Sequence, residues 1–177
     1  TSLNDFKGLK IRGVGGYSDL ALEQLKASIV FMSAAEQFLQ LETGGVDAVV
    51  TTESSYINQD LANVAPFTLQ DSIIRGPYAL IMNKKKWDRL DEKSQQQLQE
   101  AVKQTIEWSN EHVDAENKRL KDALDQKSKG AYVLTEKERE EIAVIQQNAI
   151  KKFIEENGED AEKLSTIYQK YCLLYTS

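Results

Sequence analysis

The sequence predicts an α/β fold with a parallel-rich sheet, followed by long helices. Strand-like segments at residues 9–12, 28–32 and 46–50 alternate with helix-like segments. This βαβαβ order favours a parallel sheet with covering helices, because the chain must cross over before each new parallel strand. Beyond residue 90 the strand signals give way to extended helical periodicity, which predicts a helical C-terminal region.

Glycine and capping signals set the expected bounds of the elements in the first half. The glycine-rich residues 13–16 end the first strand, and residues 18–26 follow as a helix. Ser33, with Glu36 three residues later, forms a capping box before the next helix. Glycines at residues 44–45 end that helix, since glycine readily takes the left-handed C-cap conformation.

The second half is expected to contain strands and long helices. Residues 64–69 and 78–82 are predicted strands, and the latter is apolar enough to be buried on both faces. Residues 94–127 contain neither proline nor glycine and carry apolar residues at helical spacing, which predicts one long helix or two with a kink. Thr135 with Glu138 forms a second capping box ahead of a further helix.

The change of character near residue 90 predicts how the chain is organised. Residues 1–90 are expected to form an α/β lobe, and residues 91–171 a long helix and further helices that pack on the same lobe. If those helices did not fold back onto the sheet, a helical interaction protein would be the alternative.

The composition excludes several classes of function. With 41% hydrophobic residues the chain has enough apolar material for a core. The net charge of −6 argues against nucleic acid as a partner, since phosphate binding needs clustered Lys and Arg. No segment approaches the roughly 20 consecutive apolar residues of a membrane span. The single cysteine excludes a disulfide framework and a cysteine-based metal site, and catalysis by a Ser-His or Cys-His pair would have to use the single histidine.

The glycines between the first strand and the first helix admit two interpretations. A dinucleotide-binding loop needs glycine at its first, third and sixth positions, and here the sixth position is Ser18. A tight turn, in which the backbone approaches a neighbour, needs only the conformational freedom of glycine. The departure at Ser18 favours the turn.

Two polar features follow predicted strands, at the sheet edge where α/β proteins place their ligands. Arg12 ends the first strand and offers a planar fork of donors that matches a carboxylate; the alternative is a surface arginine. Residues 51–55 are rich in hydroxyl groups and follow the third strand, where Glu53 is placed to hold Arg12. For Thr51 and Thr52 alone, helix capping is the favoured interpretation.

Other conspicuous residues favour solvated surface. His112 lies within a predicted helix among acidic residues, and no second histidine is present to share a metal. The lysines at residues 84–86 are too few for a nucleic-acid site.

Four stretches, in order, resemble the solute-binding proteins of tripartite ATP-independent periplasmic (TRAP) transporters, of the DctP type. Residues 5–12 (DFKGLKIR) are similar to the family's DLKGLKIR segment, and residues 32–38 (MSAAEQF) to its M-x-x-x-E-x-Y. Residues 41–48 (LETGGVDA) resemble LQ-x-G-x-VDG, and residues 78–90 carry a close match to Y-x-L-x-x-NKKKWD-x-L.

The resemblance implies a two-lobed, type II periplasmic-binding-protein-like fold that closes on its ligand, with Arg12 pairing the ligand carboxylate. It also implies that residues 1–90 are a ligand-binding lobe for a small organic acid, with TRAP membrane permease subunits as partners. A periplasmic location, no cofactor and no enzymatic activity are implied as well. The predicted site consists of residues near the ends of the strands: Arg12, Gly13, Tyr17, Ser33, Thr51, Thr52, Glu53 and Tyr78. An α/β enzyme acting on an anionic substrate is the alternative, with Glu53 or Ser33 as its base or nucleophile.

Some positions depart from the family pattern. Ala34 replaces an aromatic residue, Thr51 replaces an asparagine, and residues 13–16 replace the commoner V-P. These changes favour a ligand that differs from a simple dicarboxylate or sialic acid.

Both ends of the chain carry expectations. The resemblance begins near the middle of a typical family member, so we expect the first lobe to be missing and the chain alone to bind organic acids weakly or not at all. Residues 172–177 match the translation of TGT CTC TTA TAC ACA TCT, the end sequence of a transposon used in sequencing libraries. We therefore expect these six residues to be a non-native tail.

Overall fold

The computed structural model describes residues 2–71 and 79–172, with the backbone alone for residues 168–172. The chain divides into two compact units. The first comprises Thr1–Arg75 and Leu124–Ser177, and the second comprises Gly76–Ala123. The boundary expected near residue 90 stays a prediction, and the expected tail lies outside the described residues apart from the backbone of Cys172.

A three-stranded parallel sheet organises the first unit, in the order β2-β1-β3. Ile11 of the central strand lies opposite Ile29 on one side and Ala48 on the other. The predicted parallel arrangement is therefore confirmed. The elements are β1 (Lys10–Arg12), α1 (Tyr17–Gln24), β2 (Ser28–Val30), α2 (Gln37–Glu42), β3 (Ala48–Val49) and α3 (Glu53–Asn58).

A second, two-stranded parallel sheet joins distant parts of the first unit. It pairs β4 (Phe67–Leu69) with β5 (Gly130–Tyr132). Two helices follow, α6 (Glu136–Asn157) and α7 (Glu159–Cys172), and α6 packs against α1. The capping box predicted at the start of α6 is present, because the Thr135 side chain accepts from the Glu138 N–H and the Glu138 carboxylate accepts from the Thr135 N–H.

Two apolar clusters stabilise the first unit. One contains Leu3, Leu25, Leu134 and Ile142. The other, which we call the α2–α3 cluster, is built on Tyr56, Leu61 and Leu124, with six half-buried side chains against it: Phe38, Leu41, Val49, Ile57, Ala62 and Val64. Each buried leucine or isoleucine contributes about 1.5–3 kcal/mol relative to full exposure. The α2–α3 cluster therefore holds together the two helices that follow β2 and β3.

The second unit is mainly helical in its described part. It contains α4 (Lys84–Trp87) and nearly all of α5 (Glu92–Lys127), which is a single uninterrupted helix rather than two. Asn83 caps α4 and Asp91 caps α5, each by accepting a backbone N–H with its side-chain oxygen. No helix among the described residues is long and apolar enough to cross a membrane.

The strand predicted at residues 78–82 is wrong over its described part. Residues 79–83 have no regular secondary structure, and Leu80 and Ile81 are 83% and 87% exposed rather than buried. An apolar run forms a strand only where a neighbour can pair with its N–H and C=O groups. No described strand pairs with this segment.

The sequence interpretation also omitted several short elements. Among the described residues of the first unit, 3-10 helices occur at Leu3–Phe6, Ala34–Glu36 and Leu61–Asn63. The helix that the capping interpretation of Thr51 and Thr52 implied is present as α3, whose first turn lies within residues 51–55. Short elements of this kind have too few residues to show periodicity.

Candidate functional site

Arg12 lies at the carboxyl end of the central strand and bonds to the chain beyond both neighbouring strands. Its Nε donates to the Met32 carbonyl oxygen at 3.3 Å, and its Nη1 donates to the Val50 carbonyl oxygen at 2.7 Å. Met32 lies just past β2 and Val50 just past β3. The guanidinium therefore bridges the ends of the three strands.

This arrangement leaves part of the guanidinium available. The group carries five N–H donors, and two of them are used in these bonds to backbone carbonyls. The side chain is half-buried. A fixed cation with unused donors at a sheet edge can receive a carboxylate, which prefers paired N–H donors in this planar geometry.

Glu53 does not hold Arg12 as the sequence interpretation expected. Within the described residues, no hydrogen bond or ion pair joins the Glu53 carboxylate to the guanidinium, which is held by Met32 and Val50 instead. Glu53 lies in the first turn of α3 and is exposed. Its position there is explained by the favourable interaction of an acidic side chain with the N-terminus of a helix.

The two threonines after β3 differ in their roles. Thr52 is the N-cap of α3, and its hydroxyl oxygen accepts the Ser55 N–H at 3.2 Å, so the capping interpretation is confirmed for Thr52. The Thr52 hydroxyl also lies 3.0 Å from the Ser54 hydroxyl. Thr51 is half-buried and directly follows Val50, whose carbonyl oxygen accepts from Arg12.

Ser33 is committed to the local structure before α2. Both its N–H and its hydroxyl donate to the Glu36 carboxylate, at 2.9 and 2.6 Å. These bonds, first that of the hydroxyl and then that of the N–H, lower the pKa of the Glu36 carboxyl below its ordinary value. The predicted capping box is therefore confirmed. The Ser33 hydroxyl is hydrogen-bonded within this box and is not a free nucleophile.

The glycine-rich loop at residues 13–16 is hydrogen-bonded to the carboxylate of Asp19, in the first turn of α1. The Val14 and Gly15 N–H groups both donate to Oδ1 of Asp19, each at 3.0 Å. The Ser18 hydroxyl donates to the Gly15 carbonyl oxygen at 2.6 Å and lies 3.2 Å from the same Asp19 oxygen. The Val14 and Gly15 N–H groups are therefore not available to a phosphate, and the tight-turn interpretation fits the structure.

Gly13 and the two tyrosines complete the predicted set. Gly13 is buried, and its N–H donates to the Val30 carbonyl oxygen at 3.2 Å; a Cβ there would overlap the Asp19 carboxylate. Tyr17 is the first residue of α1 and is half-buried. Tyr78 lies outside the described residues.

The structure thus brings some of the predicted residues to one edge and adds others. Arg12, Gly13 and Thr51 share the carboxyl edge of the sheet, whereas Ser33, Thr52 and Glu53 have helix-terminal roles. The carbonyls of Met32 and Val50 were missed, because any residue type supplies a carbonyl. Asp19 was detectable in principle, since an acidic residue in a first helical turn close behind a glycine loop is a common N–H acceptor. The described residues contain no cluster of three or more His, Cys, Asp or Glu side chains that could hold a metal ion.

Comparisons with solved structures agree with this architecture. The periplasmic ectoine-binding protein of the TeaABC TRAP transporter of Halomonas elongata is 21% identical, with a TM-score of 0.79 over 92% of this chain and 54% of that chain. A TRAP periplasmic solute-binding protein from Rhodoferax ferrireducens with bound malonate is 22% identical, with a TM-score of 0.78 over 100% of this chain and 58% of that chain. A protein of the same type from Bradyrhizobium sp., in complex with galacturonate, is 25% identical, with a TM-score of 0.76 over 96% of this chain and 55% of that chain.

Sequence comparisons agree with the structural ones. A solute-binding protein from Albidiferax ferrireducens is 36% identical over 61 residues, which is 34% of this chain and 18% of that protein. The chain spans little more than half the length of the solved structures it matches. The family described as bacterial extracellular solute-binding protein, family 7, matches residues 1–157. Together with the parallel sheet and its long following helices, this match shows that the chain belongs to bacterial extracellular solute-binding protein family 7.

Proposed function

We propose that this chain forms the ligand-binding part of a receptor that takes up a small organic acid outside the cytoplasm and delivers it to a TRAP permease. The carrying observation is the Arg12 guanidinium, which is fixed by two backbone carbonyls at the carboxyl edge of the sheet and retains unused donors. The family comprises transporter receptors rather than enzymes, which supports binding without catalysis.

A carboxylate is the chemical group that this site fits best. Arg12 donates to neutral carbonyls, and no acidic side chain among the described residues forms an ion pair with it, so its positive charge is not neutralised locally. An incoming carboxylate would supply that neutralisation and could accept two parallel N–H bonds. Related proteins have been solved with bound malonate, succinate and galacturonate, each of which carries a carboxylate.

Thr51 is the best-placed second contact. It directly follows the carbonyl that holds Arg12, and its hydroxyl makes no hydrogen bond within the described residues. A hydroxyl in that position can donate to one ligand oxygen or accept from a ligand hydroxyl. Gly13, Tyr17, Thr52, Ser33, Glu53 and Tyr78 stay predictions as ligand contacts.

The enzymatic alternative has weaker support. Of the two groups considered for it, Ser33 donates its hydroxyl to Glu36, and Glu53 is an exposed residue of the first turn of α3. A nucleophile needs a base within hydrogen-bond reach that is itself oriented by a third group, and neither residue has that arrangement. The periplasmic location and the permease partner follow from family membership and are part of the proposal.

Calorimetric titration of the full-length gene product tests this function. The panel contains malonate, succinate and galacturonate, each paired with its uncharged amide. We expect at least one acid to bind and its amide to bind far more weakly, because the amide lacks the charge that Arg12 recognises. Binding of an amide with the affinity of its acid would reject carboxylate recognition.

A further inference from the structure

A fully buried glutamine joins the two helices that follow β2 and β3. Gln37 is the first residue of α2 and is 0% exposed. Its Nε2 donates to Oε1 of Gln59 at 2.9 Å, and Gln59 is the C-cap residue of α3. Apart from Ser18, it is the only buried polar side chain in the part of the chain that the structure describes.

The same two segments carry the carbonyls that hold Arg12. The chain runs from β2 through the Met32 carbonyl into α2, and from β3 through the Val50 carbonyl into α3. The Gln37–Gln59 bond is therefore a second cross-connection between these segments, beyond the one made by the guanidinium. Two cross-connections restrict the separation of the segments more than one does.

Packing alone does not explain a glutamine at this position. Oε1 of Gln37 is buried and accepts no hydrogen bond from any described residue. An unpaired buried acceptor lowers stability, whereas an apolar side chain of similar volume would pack without that loss. The α2–α3 cluster beside it already supplies apolar contacts, from Phe38 and Leu41 on α2 to Tyr56 and Ile57 on α3. What the amide adds is a directional bond of defined length.

We propose that Gln37 and Gln59 are positioning residues for Arg12: their partly buried hydrogen bond sets the separation of the Met32 and Val50 carbonyls, and thereby the orientation of the guanidinium. The pair touches no ligand itself. Its effect on ligand affinity rests on the function proposed above, but its effect on Arg12 does not. The two effects can therefore be measured separately.

Nuclear magnetic resonance of the Arg12 Nε–H group is the direct test, with the signal assigned by its loss in Arg12→Lys. In the parent chain we expect an order parameter near the value of about 0.85 that is typical of rigid backbone. In Gln37→Met and Gln59→Met it should fall below about 0.6, as in flexible segments. Gln59→Glu keeps an acceptor oxygen for the Gln37 amide and should restore the parent value. Gln40→Met is the matched control, because its amide makes no hydrogen bond to α3 in the described part of the chain.

Thermal unfolding separates positioning from general stability. Gln37→Met removes the unpaired acceptor, so we expect it to unfold no earlier than the parent while Arg12 is loosened. If Gln37→Met does not fold, the comparison of Gln59→Met with Gln59→Glu decides, since Gln59 is only half-buried. Equal Arg12 order parameters in the parent and in the folded Met variants would overturn the positioning role.

Ligand binding by the full-length gene product gives the second readout. We expect Gln37→Met to bind the best acid of the panel about tenfold more weakly, equivalent to about 1.4 kcal/mol. If Arg12 is loosened in the variants but no acid binds even to the parent, the positioning role stands and the proposed function fails. If Arg12 keeps its order while affinity falls, the positioning role is rejected.

Discussion

The Nη1 atom of Arg12 donates to the Val50 carbonyl oxygen at 2.7 Å, so the cation at the end of β1 is attached to the chain that leaves β3. Thr51 follows immediately, and the Met32 carbonyl on the other side completes the support. A ligand carboxylate at this position would meet a cation whose direction is already set.

Replacement of Arg12 tests its part in ligand binding. If Arg12 pairs with a carboxylate in a closed site, loss of the cation leaves that carboxylate unpaired, at a cost of about 2–5 kcal/mol. Titration of the full-length Arg12→Ala variant should then show roughly thirtyfold to a few thousandfold weaker binding. Arg12→Lys keeps the charge but not the fork and should recover only part of the loss.

Lys85→Ala serves as the control for that series. Lys85 is exposed and lies on α4 in the second unit. Its removal changes the net charge by the same amount, so it should leave the affinity nearly unchanged. An Arg12→Ala variant that binds like the parent would remove Arg12 from the site.

The glycine at position 13 is expected to be essential to the loop before α1. A Cβ at this position would overlap the Asp19 carboxylate that accepts the Val14 and Gly15 N–H groups. Gly13→Ala should displace that carboxylate, shift the amide resonances of Val14 and Gly15, and lower the unfolding free energy by about 1–2 kcal/mol.

A double variant shows whether that overlap is the cause. In Gly13→Ala with Asp19→Ala, the side chain that clashes is gone, so the loss should be smaller than the sum of the two single losses. Denaturant unfolding of all four proteins measures the coupling. Additive losses would mean that the methyl group introduced by Gly13→Ala does not act through Asp19.

The cap of α6 is expected to contribute measurably to stability. The Thr135 hydroxyl oxygen accepts the Glu138 N–H at 3.3 Å and donates to the Glu138 carboxylate at 2.7 Å. Thr135→Ala should lower the unfolding free energy by about 1 kcal/mol, a typical loss for an N-cap residue. Thr135→Ser keeps the hydroxyl and should unfold close to the parent. Equal losses for both variants would show that the methyl group matters rather than the cap.

We expect the free energy of unfolding to depend on pH through the carboxyl group of Glu138. The pKa of Glu138 is lowered from its ordinary value of 4.5 to about 2. The largest cause is the hydrogen bond from the Thr135 N–H, followed by those from the Tyr132 and Thr135 hydroxyls. Because the folded state binds the proton more weakly than the unfolded state, this carboxylate stabilises the fold fully above about pH 4.5. That contribution is lost as the pH falls from about 4.5 toward 2.

Urea unfolding of the parent and of Glu138→Gln between pH 7 and pH 3 measures this dependence. Glutamine cannot titrate, so the stability difference between the two proteins should shrink below about pH 4.5. A difference that stays constant over the whole range would show that Glu138 is not the group responsible.

The sequence predicted the central sheet because its signals were local. Short apolar strands, glycine turns and the Ser33–Glu36 and Thr135–Glu138 boxes all lie within a few residues of one another, and the structure has them where they were expected. The strand predicted at residues 78–82 was wrong over its described part, because strand formation depends on a pairing partner that composition does not reveal.

The candidate site was predicted less completely, for a related reason. The position of Arg12 follows from strand order, but its partners are backbone carbonyls whose location depends on how three chain segments converge. Glu53 was predicted to be the partner of Arg12 because of its charge. An exposed acidic side chain in a first helical turn is already stabilised by its interaction with the helix N-terminus, so it does not need a cationic partner. The Gln37–Gln59 pair left no signal, because a lone glutamine in an apolar pattern usually indicates a solvated position.

The double attachment of Arg12 has a consequence for work in cells. Since its side chain links the loops beyond β2 and β3, a substitution there removes two hydrogen bonds from the fold as well as the cation from the site. A loss of about 1–2 kcal/mol in unfolding free energy can reduce the steady-state abundance of a protein several-fold through proteolysis. If the proposed function holds, a strain altered at residue 12 would show poor uptake partly because fewer molecules of the protein survive. Immunoblotting for the protein should therefore precede any interpretation of uptake as affinity.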